Sequence, residues 1–267
     1  ENFEGLLKTG VGVLDIDGPA ASDFGVVNVQ GGTLQVAAAA TLLGVGELTV
    51  AAGTTLDLDG GVVGTNGSDI ADVGGRITGT GRLDLGDGDD RLLLHDAADT
   101  QGLATLDGGA GTDTIDAVVQ AGALSLGPTT RFETLAKDGA GALTMSGTEA
   151  FDTTRIDGGT LAIEAGATLA SRDTTLASGA TLRIDGTFTG TGGDDTFASS
   201  GDIVGALDFG AGNDRIAFAG GDLTGLAHIE GGAGTDTLAF SDMALDDDTL
   251  PDFTNIERIA LLDGSAL

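Results

Sequence analysis

The chain has no cysteine, no tryptophan and no tyrosine, only three prolines in 267 residues, and 11 Lys+Arg against 42 Asp+Glu. Each shortage excludes something. Without cysteine there are no disulfides, no thiolate zinc sites and no cysteine nucleophile. Without Trp or Tyr there is no exposed aromatic platform for sugars, so the ten phenylalanines are expected in the core, with Phe3 matching Phe132 and Phe24 matching Phe151. A formal charge of −31 repels phosphates and anionic lipid, which excludes nucleic acid as a partner and makes divalent cations natural counterions. No apolar run approaches the ~20 residues of a membrane helix, so no direct membrane insertion is expected. The sequence starts at Glu1 with neither an initiator Met nor a signal-peptide pattern, and the expectation is a piece of a longer protein.

What is abundant is glycine, 48 residues, in a chain that is still 40% hydrophobic. That is too apolar for a disordered tract, so the glycines punctuate short strands. Aligned on itself, the sequence repeats nearly end to end. "FEGLLKTGVGVL" at 3–14 matches "FETLAKDGAGAL" at 132–143, and "GGTLQV" at 31–36 matches "GGTLAI" at 158–163. "LDLGDGDDRLLL" at 83–94 matches "LDFGAGNDRIAF" at 207–218, and "LDGGAGTDTIDA" at 106–117 matches "IEGGAGTDTLAF" at 229–240. The units are expected at 1–129 and 130–253, with a third beginning at 254–267.

Within each unit, pieces such as "TLQV", "TLDLD" and "TLRID" alternate apolar with polar, the pattern of half-buried strands. They recur every 21 to 23 residues, as from Leu34 to Leu56 to Ile77 and from Gly86 to Gly109. That spacing is one coil of a solenoid, and the fold expected is an all-β parallel β-helix of about twelve coils. Helices are excluded because no ten-residue window carries a 3.6-residue stripe free of glycine.

Residues 139–186, with their "GGTL" and "GATL" turns, resemble the passenger-associated repeat of bacterial autotransporters. The resemblance implies a right-handed parallel β-helix exported to the surface of a Gram-negative cell. The "GGAGTDT" segments are similar to the "GGxGxDxUx" nonapeptide of calcium-binding RTX proteins, although no two follow one another at nine residues here. What this resemblance implies is Ca²⁺ held at stacked turns, with Asp87, Asp89, Asp90, Asp113, Asp194, Asp195, Asp214 and Asp236 as candidate ligands. In a coil of this length Asp90 stands near Asp113 and Asp214 near Asp236, roughly 5 Å apart along the axis. The alternative is a bare corner, in which Gly supplies positive φ, Asp and Thr satisfy turn amides, and the charges face water.

No catalytic residues are assigned. His95 and His228 occupy non-matching places in the two units, no G-x-S-x-G is present, and carboxylates are too many to single out a pair. Arg91 recurs as Arg215 and is expected to pair with Asp89 or Asp90, and with Asp214. The function expected is a repeat rod of a surface-exposed autotransporter adhesin, monomeric or weakly self-associating. It would serve as spacer or self-association surface in adhesion and biofilm, contacting other cell-surface molecules or copies of itself. The competing expectations are a β-helical polysaccharide lyase or hydrolase, and a calcium-organised S-layer or RTX-type secreted protein.

Overall fold

The computed structural model describes residues 2–18, 21–243 and 250–262. The chain is an all-β parallel solenoid of about twelve turns, with no helix among the described residues. It divides into two compact units, Glu1–Leu135 and Ala136–Leu267.

In the first unit the strands Val13–Ile16, Thr33–Val36, Thr55–Leu58 and Arg76–Thr78 pair in parallel, with Leu14, Leu34, Leu56 and Ile77 in register. Leu34, Leu56 and Ile77 are fully buried, while Gln35, Asp57 and Thr78 point outward at half-buried positions. The 21- and 22-residue spacings read from the sequence are therefore one turn of the coil. The second unit builds the same wall from Ala142–Met145, Thr160–Ile163, Thr181–Ile184 and Asp202–Asp208, with Leu143, Leu161, Leu182 and Ile203 stacked in register and fully buried. Period-two alternation produces this directly, because successive side chains of a strand leave on opposite faces and only one face is enclosed.

The interior is a single layer of Leu, Ile, Val and Ala, supplemented in the second unit by Phe188, Phe197, Phe209, Phe218 and Phe240, whose ring centroids lie 5.7 to 6.1 Å apart. Phe24, Phe132 and Phe151 are buried as expected. Phe3 is not: it is 49% exposed and lies against the Phe24 ring at 5.4 Å, since only one face of the ring is covered.

Each unit also buries a lysine. The Lys8 Nζ donates to the carbonyls of Thr9, Gly10 and Gly31 at 2.9, 2.8 and 2.6 Å. Lys137 repeats the arrangement with Asp138, Gly139 and Gly158 at 2.9, 2.8 and 3.0 Å. An ammonium has three protons, and three carbonyls at a corner meet all of them, which is how such a charge is tolerated inside.

This register is open to a direct check by urea denaturation. Leu182→Ala, on the enclosed face, is expected to lower stability by about 2–5 kcal/mol. Arg183→Ala, one residue on and facing out, is expected to change it by no more than about 1 kcal/mol. Equal losses would mean that the strand is turned over.

Candidate functional site

The recurrent acidic turns form one corner of the coil. Ala110 N–H donates to Gly86 O at 2.9 Å and Gly88 N–H to Ala110 O at 2.8 Å, so the turn at 108–113 sits on the turn at 86–90. In the second unit Ala233 and Gly210 at 2.8 Å, with Gly212 and Ala233 at 2.9 Å, do the same. The glycines are needed. Gly109 and Gly111 have φ of 114° and 148°, and a Cβ on them would stand 1.6 Å from Gly86 O and 1.8 Å from Gly88 O. Both conformation and close approach therefore demand glycine in "GGAG".

The eight aspartates expected from the sequence separate into two sets. Asp90, Asp113, Asp195, Asp214 and Asp236 are buried, whereas Asp87, Asp89 and Asp194 are exposed. The buried set forms two ladders of carboxylate-to-amide bonds. In the first unit, Asp90 Oδ1 accepts the Asp69 N–H at 2.7 Å, Asp113 Oδ1 accepts the Asp90 N–H at 2.7 Å, and Glu133 Oε2 accepts the Asp113 N–H at 2.6 Å. In the second unit, Asp214, Asp236 and Glu257 accept the amides of Asp195, Asp214 and Asp236, each at 2.8 Å. Both ladders start with a threonine: the hydroxyls of Thr65 and Thr191 donate to Oδ1 of Asp69 and Asp195 at 2.6 Å.

The exposed residues make a weaker ladder in the opposite direction. Asp89 Oδ1 accepts the Thr112 N–H at 2.9 Å, Asp194 Oδ1 the Asn213 N–H at 2.7 Å, and Asn213 Oδ1 the Thr235 N–H at 3.1 Å. An adjacent pair such as Asp89-Asp90 or Asn213-Asp214 thus holds the following coil with its first member and the preceding coil with its second. Of the bare-corner alternative, glycines at positive φ and amides met by aspartate hold for both sets, and charges that face water for the outer set.

Asp69 and Asp195 use both oxygens on their threonines, whereas Asp90, Asp113, Asp214 and Asp236 each use one. Oδ2 of Asp90, Asp113, Asp214 and Asp236 is buried without a hydrogen-bond partner. Burial consequently pushes the Asp90 and Asp214 carboxyls up to about 6, against the pull of the amide each one accepts. Asp113 and Asp195 are raised for the same first cause. For a metal, the oxygens left over are one Oδ2 per rung together with the turn carbonyls. Among the described residues no three His, Cys, Asp or Glu side chains are grouped to hold an ion.

The basic residues sit elsewhere than expected. Arg91 pairs with Asp116 of the next coil, not with Asp89 or Asp90, because its strand lies beside Thr114–Val118 and its side chain leaves on the outer face. Arg215 makes no ion pair among the described residues. His95 Nε2 lies 2.9 Å from Asp72 Oδ1 at the rim of a groove of about 390 Å³ lined also by Thr49, Asp96, Val118 and Gln120. That groove has no serine beside the imidazole. His228 Nε2 contacts Thr254 Oγ1 at 3.0 Å.

Sequence reasoning missed both terminal glutamates, both threonine caps and the two buried lysines. Two signals were available. "FEGLLKTG" and "FETLAKDG" keep a lysine at matching positions, and Glu133 and Glu257 follow their last aspartate by 20 and 21 residues, one coil on.

The ladder predicts a pH dependence. The folded values for Asp90 and Asp214 lie above the ordinary 3.8, so their contribution to stability is complete below that value and is lost as pH rises through about 6. Melting temperature should fall between about pH 4 and about pH 6 and level off above. In the double variant Asp90→Asn, Asp214→Asn, the amide acceptor remains and the ionisable oxygen is gone, so the slope should flatten. Identical slopes would remove the inner ladder as the cause. Compared with protein-family models, curated proteins and solved structures, the chain matches none.

Proposed function

We propose that this chain is a repeat segment of the passenger of a large autotransporter adhesin at the surface of a Gram-negative cell. It acts there as a stalk, or as a surface through which copies associate in adhesion and biofilm. The observation that carries this reading is what the two units share. Both repeat an interior apparatus, made of a threonine cap, three aspartate rungs, a glutamate terminus and a buried lysine. The histidines do not repeat: His95 faces Ala219 in the alignment and His228 faces Thr105, although the outward Arg91 recurs as Arg215. Selection for a catalytic centre would fix a few outward or groove-lining groups, whereas selection for a spacer fixes the stacking and leaves the outside free, since copies then add length without redesign.

Display of this segment alone on otherwise non-aggregating cells tests the two roles. Clumping that is lost when soluble segment competes supports self-association. Dispersed cells, with a distal epitope tag still accessible, support the spacer role. Turnover of an acidic polysaccharide by the purified chain would overturn both.

Calcium at the inner ladder is a second reading, favoured by the four buried Oδ2 atoms that lack partners. A hard cation taking six to eight oxygens would use them with the turn carbonyls. Under this reading, millimolar CaCl₂ raises the melting temperature of metal-stripped protein and a chelator reverses the rise. No heat of binding by calorimetry and no shift would sink it.

A further inference from the structure

Asn66 is followed by Gly67, the only Asn-Gly in the sequence. Both residues are exposed, in the turn that caps the first ladder. The Asn66 carboxamide makes no hydrogen bond among the described residues. By contrast, Asn213 is tied to Asp194 and Thr235, and Asn255 donates to Glu230 at 2.6 Å. Gly67 is also not a glycine the fold requires. Its φ is not in the left-handed region, and a Cβ placed there would meet nothing nearer than Thr65 Oγ1 at 3.7 Å. Its N–H donates to that hydroxyl at 3.0 Å in a solvent-exposed bond, within reach of a base from solution.

We propose that Asn66 is a site of spontaneous deamidation that ages the first unit selectively. The Gly67 main-chain nitrogen attacks Cγ of Asn66. The N–Cγ bond forms, the Cγ–Nδ2 bond breaks, and ammonia leaves carrying the proton that was on the Gly67 nitrogen. Water then opens the resulting succinimide at either carbonyl, giving an ordinary aspartate at this position or an isoaspartate through which the main chain runs by one extra carbon. No oxidant or cofactor enters.

The consequence falls on the cap. Residues 65–69 are closed by the Thr65 N–H and hydroxyl, both donating to the Asp69 carboxylate, and Asp69 is the first rung of the ladder. An added main-chain carbon inside that closed loop cannot keep all three bonds, and the new carboxylate brings a negative charge beside a buried one. The second unit carries an internal control. Its cap has the same geometry, with Thr191 N–H and hydroxyl to Asp195 at 2.7 and 2.6 Å and Gly193 N–H to Thr191 Oγ1 at 3.3 Å. There Gly192 stands where Asn66 does, so this corner has nothing to deamidate.

The test is peptide mass spectrometry on folded protein held at mildly alkaline pH. Expected are a gain of one mass unit confined to the peptide containing Asn66, isoaspartate as the main product, and a lowered melting temperature in the aged sample. Gly67→Ala, which the turn accommodates, should leave the initial melting temperature unchanged and slow the conversion by about tenfold or more. Asn66→Gly, copying the second unit, should abolish it. Conversion at Asn213 or Asn255 instead, no conversion at all, or an unchanged rate in Gly67→Ala would each overturn the proposal.

Discussion

The constraint on which the structure depends is the supply of hydrogen-bond acceptors where strands stop. Along its flat walls a parallel solenoid needs no special device, because each coil's amides meet the carbonyls of its neighbour. At a corner the chain turns, the ladder of main-chain bonds is interrupted, and a buried N–H would be left without a partner at a penalty of about 1–3 kcal/mol. The inner carboxylates of Asp90, Asp113 and Glu133, and of Asp214, Asp236 and Glu257, supply the missing acceptors one coil at a time. The glycines serve the same end, since only a residue without a Cβ lets one turn approach the carbonyls of the next this closely.

Lysine and aspartate then appear as opposite answers to one geometric problem. Where turns present a surplus of amides inward, the chain places a carboxylate. Where they present three carbonyls, as around Lys8 and Lys137, it places an ammonium. In these bonds each charge meets main-chain dipoles, an arrangement that repeats from unit to unit.

The fold was legible because it is written in two periods at once. Alternation within "TLQV" or "TLRI" marks the enclosed face, and the 21- to 23-residue return of that alternation marks the coil, so the register Leu34, Leu56, Ile77 follows from counting. The site was only half legible. Aspartate in a glycine turn identifies the corner, and composition alone does not separate Asp89 from Asp90, which end on opposite sides of the wall. Their division follows the alternation of the strand that comes next, carried back into the turn: Asp90 is buried in phase with Leu92 and Leu94, while Asp89 is exposed. The terminal glutamates were hidden for a different reason. Glu133 and Glu257 stand directly before the strands Thr134–Asp138 and Arg258–Leu261, the place that Asp113 and Asp236 hold one coil earlier, but without the "GGxGxD" surroundings that flag the other rungs.

Asparagine would accept the same amides without a buried charge, so the use of aspartate at every inner rung calls for a physical reason. A carboxylate is the stronger acceptor, and its charge-assisted bonds of 2.6 to 2.8 Å tighten the stack. The same choice leaves a second oxygen that asparagine would have filled with an NH₂ donor, and in four rungs that oxygen meets no partner. Desolvation then opposes ionisation, and the acceptor strength that favours aspartate is fully expressed only while the charge is retained. Burial accordingly pushes Asp90 and Asp214 up to about 6, so protonation of these two rungs responds to the pH of the medium. A column of asparagines would be indifferent to the medium. A column of aspartates couples the stacking of coils to what the surrounding solution provides, which a protein meeting variable surroundings can use and a purely mechanical spacer does not require.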